Sequence, residues 1–346
     1  PTKVQKGFAY MANYEVNIDL ANQTKREMAD AINTGNENVL NRMGAFSALY
    51  DARFASYRHP VLVLKTEEPG SKQLIASQYD KIENVSYDMI NHLINDCIVM
   101  GAKPLTVQDA IICGRLDGGI VKRIVKAISD ACKAQDCVLT GGETSEQPGV
   151  ISDGTYILTS SIVGIVEKDE IIDGSKIKEG DAVLSLESSG IHTNGLTLVR
   201  TIMREHPEIL NETLEGRPFI DGVLEPHRCY YLALRDLFGT GKISGLAHIT
   251  GGGIRENLNR ILPERLDAEI DLASYDVLPI FKLLRQYGNV SDEEMLRTFN
   301  LGVGIALVAD PAYEAEIAAH LEKSGVRCTR IGRIVPGSGA VRTTGA

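Results

Sequence analysis

The chain has 346 residues, 43% of them hydrophobic and 24% charged, enough material for two globular cores, so two domains are expected. A formal net charge of −10 argues against the clustered basic surface that meets a nucleic-acid backbone, although a phosphate can still be held locally by backbone N–H groups, a lysine and a bridging metal ion. No apolar run approaches the roughly 20 residues of a membrane span, no basic-then-apolar leader opens the chain, and the six cysteines show neither a Cys-x-x-Cys pair nor zinc spacing. The expectation is a cytoplasmic protein with free thiols and no membrane partner.

Along the chain, residues 19–32 are polar with weak helical spacing and 33–41 read as loop. Val61 to Leu64 is a short Val/Leu run, predicting a strand that opens into a polar turn, Lys65 to Lys72. From Ser86 to Met100 the apolar residues recur in pairs four apart, predicting a helix with one buried face that Gly101 and Pro104 stop. A second helix runs from about Gly118 with Asp117 as its N-cap, and Cys137 to Leu139 follows as a strand into Thr140-Gly-Gly-Glu143. The turn-forming, charged stretch from Gly164 to Asp181 reads as a crossing between domains, which places the division at 1–169 and 170–346. Beyond it, strands at 182–186 and 304–309 and helices at 195–204 and 315–323 predict a second α+β unit.

Five segments carry candidate chemistry. Thr66 to Lys72 combines Glu67 and Glu68 with Gly70, Ser71 and Lys72, residue types that meet a metal through a carboxylate and a phosphate through an ammonium; read alone it is an exposed charged turn. Thr140 to Gly149 sets Gly141 and Gly142 beside Glu143, either an anion cradle with a metal carboxylate or a tight turn. Asp96 lies near a helix C-terminus, where a carboxylate opposes the dipole, which favours a paired or functional role. His192 in Ser188-Ser-Gly-Ile-His-Thr-Asn-Gly195 and His248 beside Gly251, Gly252 and Gly253 sit in loops of small residues that a ligand can approach. His59, His92, His206, His227 and His320 read as structural or surface residues. There is no nucleophile elbow and no P-loop, so a nucleotide would be bound in some other way.

In order, Thr-Gly-Gly-Glu-Thr (140–144), Gly-Ile-Val-Glu-Lys (164–168), Ile-Ile-Asp-Gly-Ser-Lys (171–176), Ser-Ser-Gly-Ile-His-Thr-Asn-Gly (188–195), Ala-His-Ile-Thr-Gly-Gly-Gly (247–253) and Arg-Thr-Phe-Asn-Leu-Gly-Val-Gly (297–304) resemble the signature of the aminoimidazole ribonucleotide synthetase family over roughly residues 15–335. The resemblance implies a two-domain α/β (α+β), PurM-like fold, a homodimer joined through its N-terminal sheets, and Mg2+-ATP as cofactor. It also implies a reaction, in which the formyl amide oxygen of a ribonucleotide substrate is phosphorylated and an amidine nitrogen then closes an imidazole ring.

By the same resemblance Glu67, Asp96 and Glu143 are metal carboxylates, with Asp96 and Glu143 also base candidates. Lys72 is a phosphate clamp, Thr66, Ser71, Gly141 and Gly142 are nucleotide contacts, and His192, His248, Gly252 and Gly253 face the substrate. The chain departs from the family in its N-terminal half. Thr66-Glu-Glu-Pro-Gly-Ser-Lys72 replaces Thr-Asp-Gly-Val-Gly-Thr-Lys, and Pro69 removes an N–H that a phosphate oxygen would use. Gly44-Ala-Phe-Ser-Ala-Leu49 loses two glycines, Ala29 stands where the family carries a lysine with Lys25 one turn earlier, and Thr106-Val-Gln-Asp-Ala110 replaces an aromatic-rich segment while keeping Asp109. Three functions stay open on these residues: the cyclo-ligase, a related ATP-dependent kinase or synthetase with another acceptor, and a silent ribonucleotide-binding dimer.

Overall fold

In a computed structural model, which describes residues 23–345 except 25, 30, 31, 33, 34 and 42–44, two sheets are built in succession along the chain. Lys25 and Gly44 lie outside the described residues. The first sheet holds β1 (Pro60–Glu67), β2 (Lys103–Cys113), β3 (Val138–Glu146) and β4 (Tyr156–Glu167) in the order β1-β4-β2-β3. β2 and β3 run parallel, so the chain between them must cross back over the sheet; it does so as α3 (Gly118–Lys133), after the short α1 (Lys72–Gln78) and the long α2 (Ile82–Ile98). Asp117 caps α3 as expected, its Oδ1 accepting from Gly119 N and Ile120 N at 2.8 and 3.1 Å.

Three local expectations are corrected. β1 extends through Glu67, and Lys72 opens a helix, so only residues 68–71 form the turn, with Gly70 at φ +61. The Gly141-Gly142 pair lies inside β3 rather than in a turn, because a side chain at Gly142 would put its Cβ 2.0 Å from Asp109 Oδ1 on the neighbouring strand. The helix predicted from Ser86 begins at Ile82 and is buried on two sides: Val85, Met89, Leu93 and Cys97 belong to the apolar core, while Asp88, His92 and Asn95 are buried elsewhere.

The second sheet holds β5 (Ala182–Glu187), β8 (Ile243–His248), β9 (Leu266–Asp271), β10 (Val303–Ala309), β11 (Cys328–Pro336) and β12 (Val341–Thr344) in the order β12-β9-β11-β5-β10-β8, antiparallel except for β12 beside β9. A two-residue hairpin, β6 (Thr213–Leu214) with β7 (Arg217–Pro218), lies between β5 and β8. Every residue of β10 is buried, which explains its unbroken apolar run in place of alternation. Helices α4 (Leu196–Glu205), α5 (Phe219–Val223), α6 (Tyr231–Leu234), α7 (Gly253–Leu258), α8 (Pro279–Gly288), α9 (Asp292–Thr298) and α10 (Glu314–Lys323) complete this unit. One hydrophobic core runs from α2 and α3 into α4, α8 and β10, and a second lies on the other side of the larger sheet. Among the described residues no helix is long and apolar enough to cross a membrane, and the six cysteines are free thiols.

Candidate active site

The polar side of α2 repeats at three- and four-residue steps (Asn84, Asp88, Asn91, His92, Asn95, Asp96), so these side chains form a second stripe beside the apolar one. It docks on the segment 224–230. Asn84 Nδ2 donates to Leu224 O at 2.9 Å, Asn91 Nδ2 to His227 O at 2.6 Å and Asn95 Nδ2 to Arg228 O at 2.8 Å. In return Asp88 Oδ1 accepts from His227 N at 2.8 Å and Asn95 Oδ1 from Tyr230 N at 3.0 Å. Side chains of one helix thereby satisfy an irregular backbone that burial would otherwise leave unpaired.

This docking gathers four histidines. His248, the last residue of β8, meets Asp96 Oδ1 through Nδ1 at 2.7 Å and His227 Nε2 through Nε2 at 3.0 Å. His192 stacks on His227 with ring centroids 3.7 Å apart, and His92 stands edge-on to His248 at 5.0 Å. All four are buried. An ionised Asp96 requires the proton of His248 on Nδ1, which leaves its Nε2 lone pair to accept from His227 Nε2–H. His227 Nδ1 is then a buried acceptor with no hydrogen-bond partner. Burial, reinforced by the neighbouring histidines and Lys72, holds His192 and His227 well below the ordinary imidazole range. Burial and His248 bring His92 down to about 4. Burial opposes ionisation of Asp96, but the His248 hydrogen bond, His92 and Lys65 together hold its carboxyl well below the usual range.

The open side of the cluster is a carboxylate pair around a lysine. Lys65 Nζ lies 2.9 Å from Asp96 Oδ2 and 3.0 Å from Glu67 Oε2. Two carboxylates converging on one cation from separate elements are a donor set that a hard divalent ion accepts, so the residues present fit magnesium at this position. Burial pulls the Lys65 ammonium down, but Asp96 and Glu67 raise it further.

The remaining sequence candidates divide between this place and others. His192, at φ +61, lies in the 188–195 loop, which Asn300 fastens: its Nδ2 donates to Gly190 O at 2.9 Å and its Oδ1 accepts from Ser188 Oγ at 2.9 Å. Gly70 comes close enough to that loop for a Cβ to sit 3.7 Å from Thr193 O, and Gly251 approaches Asn194. Gly252 and Gly253 both have left-handed φ, +93 and +61, and a Cβ on Gly253 would lie 1.9 Å from Leu296 O, so packing alone already requires glycine there. Thr66 faces away from the cluster, its Oγ1 2.9 Å from Ser161 Oγ. Ser71 precedes α1 without a side-chain cap bond.

Lys72 is corrected: it is fully buried and directs its three protons to Asp88 Oδ1 at 2.9 Å, His192 O at 3.0 Å and Glu225 O at 2.8 Å, leaving none for a phosphate. Glu143 lies on β3, the edge strand opposite β1, and Gly141 beside it, so within one chain the sheet keeps Glu143 apart from Glu67 and Asp96. His92 and His227, read as structural from the sequence, belong to the cluster, as do Lys65 and Asp88. His92 had a local signal, since it stands one helical turn before Asp96; His227, after Glu225-Pro226, had none.

Against known proteins, residues 51–166 match the family described as AIR synthase related protein, N-terminal domain, and residues 178–344 the corresponding C-terminal domain. A phosphoribosylformylglycinamidine cyclo-ligase of Nitrosococcus oceani is 39% identical over 93% of this chain and 90% of its own length. One from Methylobacillus flagellatus is 40% identical over 88% of each. Among solved structures, a thiamine-monophosphate kinase from Stenotrophomonas maltophilia (TM-score 0.69, 16% identity, 93% of this chain and 96% of that one) shares the fold, as does HypE of E. coli (TM-score 0.67, 16% identity, 93% of each). With both domain families matched and relatives near 40% identity over most of its length, the chain belongs to the AIR synthase family, that of the phosphoribosylformylglycinamidine cyclo-ligases.

Proposed function

We propose that the junction of α2 with the 188–195 and 248–253 loops is where this ATP-dependent ligase of purine biosynthesis closes the imidazole ring of aminoimidazole ribonucleotide. The observation that carries the reading is that the motifs around Ser188, His248 and Asn300 are joined in one place: Asn300 ties the 188–195 loop, whose His192 stacks on His227, which bonds His248, and His248 bonds Asp96, with Lys65 and Glu67 beside it. An amide oxygen is a poor leaving group. Transfer of a phosphoryl group to it makes phosphate the leaving group when the amidine nitrogen attacks, and such a transfer needs charge neutralisation and alignment more than a protein nucleophile.

Lys65 is the ammonium placed to offset phosphate charge, the role the sequence had pointed to Lys72. Magnesium, bound with the nucleotide, would neutralise charge in the same way, with Glu67 and Asp96 as its carboxylates. Glu143 would join them only from a second protomer. In this reading His248, held by Asp96 on Nδ1 and accepting from His227 on Nε2, and His192 beside it line the substrate side, and Gly252 and Gly253 lie near the substrate phosphate. Thr66, Ser71, Gly141 and Gly142 remain nucleotide contacts in this reading.

The division of labour follows residues 1–169 for nucleotide and dimer contact and 170–346 for substrate. Support for a homodimer is the outer face of the first sheet, where Leu62 and Leu64 are 52% and 70% exposed. A cytoplasmic setting suits such chemistry. The test is an assay with formylglycinamidine ribonucleotide, ATP and Mg2+ that follows ADP and the aminoimidazole product together. Equal amounts support the cyclo-ligase. ADP formation only with another amide or hydroxyl acceptor would turn the altered 66–72 loop into the mark of a related synthetase.

A further inference from the structure

The turn at 300–302 gives the 188–195 loop its shape. Asn300 is 4% exposed, and all four hydrogen-bonding positions of its amide are used. Nδ2 donates to Gly190 O at 2.9 Å and to Ile191 O at 3.3 Å, while Oδ1 accepts from Ser188 Oγ and from Gly302 N, both at 2.9 Å. These partners fix which end of the amide is which, since a carbonyl can only accept and a backbone N–H can only donate. Ser188 N adds a bond to Gly302 O at 2.9 Å. The turn that presents the amide is itself held at positive φ, Leu301 at +52 and Gly302 at +114. Leu301 and His192 are bulky residues in a conformation that lasts only where the surroundings impose it. On His192 two further bonds help to impose it: Lys72 Nζ donates to its O at 3.0 Å, and Ser189 N to its Nε2 at 3.2 Å.

The carbonyls of 190, 191 and 192 are thus turned towards Asn300 and Lys72, and Thr193, Asn194 and Gly195 form the half-buried part of the loop. There Thr193 Oγ1 meets His92 Nδ1 at 2.7 Å, and Asn194 Oδ1 would stand 3.3 Å from a Cβ on Gly251. Resting on the reading of the 188–195 loop as part of the substrate side, we propose that Asn300 is a positioning residue for the ribonucleotide: its amide fixes the backbone of 190–192, and through it the placement of Thr193, Asn194 and Gly195 against the 247–253 loop. The chemistry singles out an amide. An aspartate of the same shape keeps an acceptor for Gly302 N, but when ionised it offers no proton to Gly190 O or Ile191 O and sets negative charge against both. With those carbonyls unpaired, the backbone at His192 relaxes towards negative φ and the loop shifts. Misplacement by about 1 Å is enough to cost an enzyme roughly a hundredfold.

Steady-state kinetics on the full chain, with KM measured separately for formylglycinamidine ribonucleotide and for ATP, test this. In Asn300→Asp the ribonucleotide KM should rise about tenfold or more while the ATP KM keeps the parent's value. A purely structural role gives a different pattern, because a smaller folded fraction lowers kcat and leaves both KM values alone. Ser188→Ala, which removes only the hydroxyl that donates to Asn300 Oδ1, should raise the ribonucleotide KM in the same direction by less, and it decides the matter if Asn300→Asp does not fold. Hydrogen exchange of the unmodified protein separates this proposal from the reading beneath it: the ribonucleotide, without nucleotide, should slow amide exchange in 188–195. Slowing there together with a parental ribonucleotide KM in the folded variants overturns the role of Asn300 and leaves the loop on the substrate side. No slowing, in a protein that turns the ribonucleotide over, removes the loop from the substrate side and the proposal with it.

Discussion

Replacing Lys72 by Met separates a structural lysine from a phosphate-binding one. The ammonium is inaccessible and pairs with Asp88, which also accepts from His227 N, while His192 O and Glu225 O take its other protons. Removing one partner of a buried pair costs about 3–5 kcal/mol, because the other charge and the two carbonyls lose their partners. Burial pushes the Asp88 carboxyl up to about 6 even with the lysine beside it. An acid whose pKa is raised from 3.8 contributes full stability below about pH 4 and loses it as pH rises through the folded value. Without Lys72 that folded value climbs further, so in Lys72→Met the loss continues above pH 6. The penalty relative to the parent is therefore larger at pH 8 than at pH 5.5.

Urea unfolding followed by circular dichroism at both pH values, read as midpoint shifts at constant slope, measures this directly. Adding Asp88→Asn, which keeps an acceptor for His227 N but removes the charge, should recover part of the loss. An unchanged midpoint with ATP binding abolished would refute the reasoning and return Lys72 to the phosphate.

Burial pushes the Asp109 carboxyl up to about 7 from 3.8, so parental stability should fall between pH 4 and 7 by at most about 4 kcal/mol at 1.36 kcal/mol per unit; Asp109→Asn should flatten the melting temperature across that window. Gly253→Ala should cost about 3 kcal/mol or more, since its Cβ would meet Leu296 O at 1.9 Å at a φ of +61; a small effect in the unfolding midpoint would show that the turn yields. If the proposed dimer forms through the exposed sheet face, Leu64→Glu should shift sedimentation from dimer to monomer, and an unchanged dimer would remove that face from the interface.

Much of the fold was legible because its signals are local. The four-residue pairing along α2, the Asp117 cap and the apolar run of β10 each announce an element within a window of ten residues or so. The site was legible only where a motif stood for it. His192, His248 and Asp96 come from three distant stretches, and their meeting is decided by the docking of residues 224–230 on α2, a long-range event with no periodicity of its own. Lys72 was misread for a related reason: a lysine after Gly-Ser has the composition of a phosphate loop, and only the tertiary arrangement shows its protons already taken. The Gly141-Gly142 pair looked like a turn because glycine's usual reason is conformational, whereas here the need is room for Asp109.

The departures from the family pattern gain physical sense once α2 is seen as shared between the two halves of the site. Its polar stripe holds the 224–230 segment through Asn91 and Asn95 and presents His92 and Asp96 to β1. A longer acid at Glu67, in place of the family's Asp, reaches the same cation that Asp96 reaches from the helix. Lys65 supplies positive charge on the rim, and Lys72 is withdrawn into the joint between domains. The changes at 67–69 thus fall where charge is balanced around Lys65, those at 29, 44–49 and 106–110 are separate from it, and the 188–195 and 247–253 loops keep their glycines and their Asn300 tie. On the proposed reading, a site altered on the side that carries Glu67 but not on the side of the 188–195 and 247–253 loops is better suited to a changed ion or phosphate geometry than to a changed ring-closing substrate.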